Sequence, residues 1–358
     1  MALLDITNLS KDELTNHIIS LKQQTYRSDQ IWSWVFNKGV SDFDSMDNLS
    51  KNLRQLLKEH FFVAKPEVTA HLISNDGTQK WLLKFFDGNE AEMVYIPEKD
   101  RGTLCISSQI GCTLNCTFCH TGTQRLVRNL TSGEIVQQIM IARDYLDEWP
   151  STQEKRLISN VVLMGMGEPL YNSDNVFKAL HTIMDDDGIA ISRKRITLST
   201  SGVVPKIIDC AKNLRVNLAL SLHATTNEVR NRIVPLNKKY PLEALIPAVM
   251  QYQELSKSKR ITFEYVMLEN INDFLEDAKR LVEITKNIEC IVNLIPFNPW
   301  PGTIYQCSSN NKIHKFAKFL HDHNQPTTIR TPRGQDILAA CGQLKSQSQK
   351  TPKYKTSN

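Results

Sequence analysis

From residue 103 to residue 296 the chain alternates between strand-like and helix-like stretches. The strand-like runs are TLCISSQI (103–110), NVVLMGM (160–166), RITLST (195–200), VNLALSLH (216–223), ITFEYVML (261–268) and CIVNLIP (290–296). Strands separated by helices are joined by crossovers, so the pattern predicts a parallel sheet with helices packed on it. About six such units suit an α/β fold of the incomplete-barrel type, a partial (β/α)6 barrel; a doubly wound sheet is the alternative. In a barrel the segments after the strands line one rim, where active sites are built. The unusual residues of this chain sit at those places. Three cysteines follow the first run, GMGEP (165–169) the second, and Ser199-Thr200-Ser201 the third. Leu222-His223 and Pro296-Phe297-Asn298 close the fourth and sixth.

The flanks follow other rules. Residues 1–68 predict a small N-terminal helical domain: Ser10 and Glu13 have capping-box spacing, and Leu14, Ile18, Ile19 and Leu21 share a face. Residues 1–65 carry eight basic and eight acidic side chains, so charge alone does not mark an RNA-binding module. Trp32, Trp34 and Phe36 are expected partly in its core. KWLLKFF (80–86) and EMVYIP (92–97), joined by DGNE, predict a β-hairpin extension within 69–100. Residues 101–342 then form the barrel with a C-terminal loop. The tail 343–358 has four lysines, no acid and little apolar content, and is expected to be disordered.

With 358 residues the chain can bury a sizeable core. No apolar run approaches the roughly 20 residues of a membrane span, and the start, MALLDITNLSKDE, lacks a basic-then-apolar signal pattern. These features place it in the cytoplasm, away from membranes, where its eight cysteines stay reduced and available for metal or catalysis. The net charge of +5 permits a polyanionic partner without demanding one.

IGCTLNCTFCHTG (110–122) puts Cys112, Cys116 and Cys119 in a C-x-x-x-C-x-x-C array. Structural zinc takes four ligands, usually from paired knuckles. A second knuckle is missing here, although His120 stands beside Cys119 and stays open as a ligand. A four-iron cluster also normally takes four cysteines. Held by three, it leaves one iron for a chelating small molecule such as S-adenosylmethionine. The spacing resembles that of the radical S-adenosylmethionine superfamily, and GMGEP resembles the segment that contacts the cofactor's amino group.

Five cysteines remain, at 105, 210, 290, 307 and 341. Each alone reads as a small buried hydrophobe. RGTLCISSQIGCTLNCTFCHTG (101–122), RNL (128–130), GMGEP, LSTSGVVP (198–205), SLH (221–223), NLIPFNPWPG (293–302) and AACGQL (339–344) together resemble the RlmN group of radical S-adenosylmethionine RNA adenine methyltransferases. That resemblance covers nearly the whole chain, and it changes the reading of Cys105 and Cys341. It implies methylation of carbon 2 of adenosine in 23S rRNA and in tRNA beside the anticodon, with two S-adenosylmethionine molecules per turnover. Carbon 2 is electron-poor and will not attack a sulfonium methyl, so a radical route is needed. In the family one cofactor methylates a cysteine, matched by Cys341. A second is cleaved at a [4Fe-4S] cluster on Cys112, Cys116 and Cys119, and the S-methyl group becomes a radical that adds to the base. Glu92 matches the carboxylate that takes the carbon-2 proton. Cys105 matches the cysteine that attacks the thioether sulfur and leaves a transient disulfide with Cys341. Cofactor contacts carried over are Gly167, Glu168, Ser199, Ser221, Leu222, His223 and Asn298.

The resemblance also implies an electron donor such as flavodoxin, and a monomer. Cys210, Cys290 and Cys307 match no motif and read as structural. Arg125, Arg128, Arg193, Lys194 and Arg195 are candidates for phosphate contact near the rim. Two rivals remain: a Cfr-type enzyme acting at carbon 8 of the same rRNA adenosine, and a non-catalytic, metal-containing RNA-binding protein.

Overall fold

The computed structural model describes residues 3–99, 101–150, 156–257 and 261–348. Its main sheet has ten strands: β1 (Glu67–Ile73), β2 (Gln79–Lys84), β3 (Glu90–Glu98), β4 (Arg101–Cys105), β5 (Asn160–Leu163), β6 (Ile196–Thr200), β7 (Asn217–Ser221), β8 (Ile261–Met267), β9 (Cys290–Pro296) and β10 (Thr327–Ile329). Their order in space is their order in sequence. Strands β4 to β10 are parallel. A doubly wound sheet must reverse direction at a switch point; this one never does, and its two ends, β1 and β10, do not pair. The architecture is an open, partial β/α barrel.

The expected six strands all form. A seventh parallel strand, β10, was not foreseen, because three residues beside Pro326 carry no readable period. The first run also ends sooner than its apolar pattern suggests: β4 stops at Cys105, and the chain leaves the sheet to build the cysteine loop.

The hairpin at 80–97 forms as β2 and β3, but it is no separate extension. It gains a third strand, β1, and joins the barrel sheet where β3 pairs antiparallel with β4. Val94 lies opposite Cys105. Glu92, two residues earlier on β3, therefore shares a face with Cys105 by the period of a strand.

Between the N-terminus and β1 run α1 (Lys11–Ser20), α2 (Tyr26–Trp32) and α3 (Lys51–His60). Ser10 and Glu13 close the expected capping box. Trp32 and Phe36 are buried with ring centroids 4.3 Å apart, while Trp34 is half-buried. These elements sit on α4 (Ser132–Tyr145) and on the turn after α5 (Ser173–Met184). The Gly133 N–H donates to Asn8 Oδ1 at 2.9 Å, and the Trp32 indole donates to Asp185 Oδ1 at 3.2 Å. Thr131 and Glu134 cap α4 as their spacing predicts. Behind the later strands lie α6 (Val204–Asn213), α7 (Asn227–Ile233), α8 (Leu242–Ser256), α9 (Leu275–Thr285) and α10 (Asn310–Asp322). Among the described residues no helix is long and apolar enough to cross a membrane.

Two expectations are corrected. The tail is packed, not disordered, as far as Ser348: Leu344 and Ser346 are buried. Its backbone is bonded by distant polar groups, with Thr121 Oγ1 donating to the Leu344 carbonyl at 2.5 Å and Gln124 Nε2 to the Ser348 carbonyl at 2.9 Å. Low apolar content could not reveal those partners; residues 349–358 lie outside the described set. The Arg193-Lys194-Arg195 run is exposed but precedes β6, at the opposite end of the strands from the cysteine loop, so it is not a rim feature.

Candidate active site

The cysteine loop is closed at its base by a short antiparallel bridge, Gln109–Ile110 against Arg128–Asn129. Arg128 is held there by two carboxylates, Asp87 at 2.6 Å and Glu134 at 2.7 Å. It therefore braces the loop, and of the proposed phosphate contacts in this region only Arg125 is left exposed.

Cys112, Cys116 and Cys119 line a cavity of about 970 Å³, counted to its open mouth, at the C-terminal ends of the parallel strands. Burial pushes the Cys112 thiol up to about 12, and burial likewise raises Cys116 and Cys119. Clustered, desolvated thiols of this kind are stabilised as thiolates when a soft metal replaces their protons. Among the described residues no three His, Cys, Asp or Glu side chains converge as a single ion requires. The three thiols line one cavity together and offer the soft sulfur donors that iron and zinc take.

The turn after β5 lines the same cavity. Gly167 has φ +104°, and a Cβ there would come within 2.6 Å of the Gln109 side chain, so only glycine fits. Glu168 is buried; its carboxylate accepts the Ser201 N–H at 2.8 Å and the Leu170 N–H at 3.1 Å. Burial pushes its pKa up to about 7 despite those bonds. A bound ammonium group would draw it back down.

Ser199 and Ser221, at the ends of β6 and β7, also face the cavity, as do His223 and Asn298. The Val266 N–H donates to His223 Nδ1 at 3.1 Å. The ring proton therefore sits on Nε2, and burial, followed by the charge of Arg230, holds the pKa down to about 3. Leu222 behaves differently: its side chain is wholly buried and does not line the cavity. Its neighbours Ser221 and His223 face the cavity in its place.

Sequence reasoning missed the residue that organises this wall. Arg230, fully buried on α7, donates to the carbonyls of Leu222 (3.0 Å), Ser201 (2.6 Å) and Ser221 (3.2 Å) and to Asn237 Oδ1 (2.9 Å). One guanidinium thus ties together the segments after β6 and β7. Burial lowers its pKa to about 10, which leaves it charged at neutral pH. Nothing in NEVRNRI distinguishes it from a solvated helical arginine. Arg230→Ala is expected to destabilise the fold by about 3 kcal/mol or more, since each buried group left without a partner costs roughly 1–3 kcal/mol; urea unfolding midpoints test this. Glu264 was also missed, although a lone carboxylate inside ITFEYVML was a readable signal. It is buried against the cavity and accepts from Asn293 Nδ2 at 2.8 Å.

A narrow crevice continues from the cavity, and Met164, Asn298, Arg330 and Cys341 line both. Cys105 lines the crevice as well, so the two outlying cysteines meet in one place. Both are free thiols. Burial, reinforced by Cys341, pushes Cys105 up to about 12, while Arg330 opposes that rise. Asn298 Nδ2 donates to the Cys341 carbonyl at 3.2 Å, which holds the Cys341 turn against the cavity. Glu92 lines neither space. It lies on the Cys105 face of β3, paired with Lys80 at 2.9 Å and accepting the Lys345 N–H at 2.7 Å. Burial raises its pKa and Lys80 opposes the shift. Cys210 and Cys290 are buried away from both spaces, and Cys307 is half-buried.

Comparison with known proteins agrees with this geometry. Residues 4–63 match the ribosomal RNA large subunit methyltransferase N-terminal domain, and residues 106–282 match the radical SAM superfamily. A protein of Bradyrhizobium diazoefficiens named dual-specificity RNA methyltransferase RlmN is 53% identical over 96% of this chain and 89% of its own length. One of the same name from Dinoroseobacter shibae is 54% identical over 98% of this chain and 91% of its own. The chain belongs to the RlmN family of radical SAM proteins. A crystal structure of a radical SAM methyltransferase from Sphaerobacter thermophilus superposes with a TM-score of 0.89 at 36% identity, covering 95% of this chain and 99% of that one. This RlmN-family chain therefore shares its relatives' architecture from the N-terminal helices through the barrel.

Proposed function

We propose that this chain methylates carbon 2 of adenosine in RNA, in 23S rRNA and in tRNA, with Cys341 as methyl carrier, Cys105 as resolving thiol and Glu92 as proton acceptor. The observation that carries the reading is the crevice. Two cysteines far apart in sequence line it, and it opens onto the cavity of the three-cysteine array. A structural metal site in an RNA-binding protein has no use for that second pair.

On this reading Cys112, Cys116 and Cys119 would hold a [4Fe-4S] cluster, and the cavity beside them would take S-adenosylmethionine. Together those groups supply a one-electron cleavage of the sulfonium bond. The chain's own residues do the rest. Glu168 receives the cofactor's ammonium, and Gly167 keeps the backbone close enough for that contact. Ser199 and Ser221 supply hydroxyls for carboxylate and ribose, while Asn298 and neutral His223 supply directional hydrogen bonds at the adenine end. Cys341, on a turn followed by Gly342 at φ +82° with open space beside it, carries the one-carbon unit from the cavity to the base. Glu92 then takes the proton from carbon 2 as the adduct returns one electron to the donor that began the reaction. The Cys105 thiolate attacks the Cys341 sulfur, the sulfur–carbon bond breaks with its electron pair on the RNA methylene, a proton completes the methyl group, and a Cys105–Cys341 disulfide is left. Residues 1–68 act as an accessory RNA-docking domain and residues 101–342 carry the chemistry.

Nucleoside mass spectrometry tests the reaction. The anaerobically reconstituted protein is given S-adenosylmethionine, a reductant and protein-free 23S rRNA or tRNA. 2-Methyladenosine is the expected product from both. 8-Methyladenosine would transfer the chain to the carbon-8 type, and cofactor cleavage with neither product would show that the RNA assignment is wrong.

A further inference from the structure

We propose that Lys80 is a positioning residue for proton removal: its ammonium keeps Glu92 unprotonated and aimed, and fastens the turn before Cys341 to the same ion pair. The proposal rests on the reading of Glu92 as proton acceptor and extends it to the group that makes such a carboxylate usable.

The sheet register brings the two together. On β2 and β3, Leu82 lies opposite Glu92 and Lys80 opposite Val94, so Lys80 is the diagonal neighbour of Glu92 on the same face. Lys80 Nζ is 2.9 Å from Glu92 Oε1, and the two side chains are only 10% and 9% exposed. Lys80 Nζ also donates to the Leu338 carbonyl at 3.2 Å. Leu338 has φ +52° and stands three residues before Cys341. One buried ammonium thus spans the acceptor of the proton and the turn that presents the methyl carrier.

Burial is a conflict for a general base. Desolvation favours the protonated carboxylic acid, and a base that already holds a proton cannot take another. The groups that face Glu92 are few. Lys80 comes from β2 and the Lys345 backbone N–H from the C-terminal segment. His120 of the cysteine loop lies beyond them, near Lys80 and Lys345. From the barrel side, Met166 Sδ accepts the Glu92 N–H and Ser107 Oγ donates to its carbonyl; both are uncharged. Lys80 is therefore the charge in contact with this carboxylate among the described residues, and Lys345 contributes a directional bond. In the step itself the carbon-2 C–H bond breaks, its electron pair stays with the base, and an O–H bond forms on Glu92. Lys80 lets that oxygen begin the step empty.

The test uses the full-length enzyme in a Cys105→Ala background, where resolution by the thiol is removed, and RNA carrying deuterium at carbon 2 of the target adenosine. Mass spectrometry of the trapped protein–RNA adduct reads deuterium loss against pH. Lys80→Gln is expected to move the midpoint up by about one unit or more, roughly tenfold slower loss below it, with Lys80→Arg close to the parent. Glu92→Gln should retain deuterium at every pH. An unchanged midpoint in Lys80→Gln overturns the proposal, whereas deuterium loss in Glu92→Gln overturns the reading of Glu92 instead. Infrared titration without RNA gives a second reading. The carboxylic-acid band that disappears in Glu92→Gln should be absent at neutral pH in the parent protein and emerge at higher pH in Lys80→Gln than in the parent. Its presence at neutral pH in the parent, or equal midpoints, also overturns the proposal.

Discussion

Cys341→Ala is expected to abolish turnover, by roughly 10⁴-fold or more, on the scale seen when a covalent nucleophile is removed. Iron content and S-adenosylmethionine binding should persist. The thiol is half-buried, and the bonds that fix its turn are made by backbone: the Cys341 carbonyl accepts from Asn298, and the Gly342 carbonyl accepts the His120 N–H at 2.7 Å. Truncating the side chain removes no scaffold contact of that kind, so loss of activity would report chemistry rather than folding. The measurements are methylated nucleoside per enzyme, iron per chain, and cofactor binding. Multiple turnover by the variant would refute the carrier role.

Cys105→Ala should behave in a different way. It should methylate no RNA in multiple turnover and instead accumulate a covalent protein–RNA adduct approaching one per chain, visible on denaturing gels. The fold should survive, because a buried residue loses a single sulfur atom, a change near the small end of core truncations at about 1 kcal/mol. Burial and the neighbouring Cys341 hold the Cys105 thiol up to about 12. The reactive thiolate is therefore a small fraction at neutral pH and grows about tenfold per unit as pH rises toward that value. Adduct release by the wild-type protein should accelerate with pH in the same range. Release at the wild-type rate by Cys105→Ala would remove Cys105 from the mechanism.

Glu168 illustrates how far a motif can be read. GMGEP is legible as a rim segment because it follows a strand, and the positive φ of Gly167 explains why a glycine must precede Glu168. The electrostatics were not legible. A carboxylate with two backbone donors would be expected to stay acidic, yet complete burial outweighs them and brings it to about 7. Arg128 shows the reverse error, since its partner Asp87 lies on a turn 41 residues away and turns a candidate phosphate contact into a brace. In both cases local sequence names the group, and distant chain segments decide its charge environment.

The sequence by itself determined six strands of the parallel sheet and the segments after them that carry the three cysteines, GMGEP, Ser199, His223 and Asn298. Strand and helix periods arise from contacts within a few residues, and a one-directional crossover rule then converts strand order into position. The pairing of Cys105 with Cys341 and their link to Glu92 came to the sequence only through family resemblance, because no local rule connects residues more than two hundred positions apart. Tertiary structure alone decided three things: that the hairpin completes the barrel sheet, that the tail is anchored as far as Ser348, and that Arg230 and Lys80 are buried cations with assigned partners. Each depends on which backbone carbonyls and carboxylates folding brings within about 3 Å, the range at which a buried charge is satisfied, and that proximity is a property of the assembled sheet rather than of any segment within it.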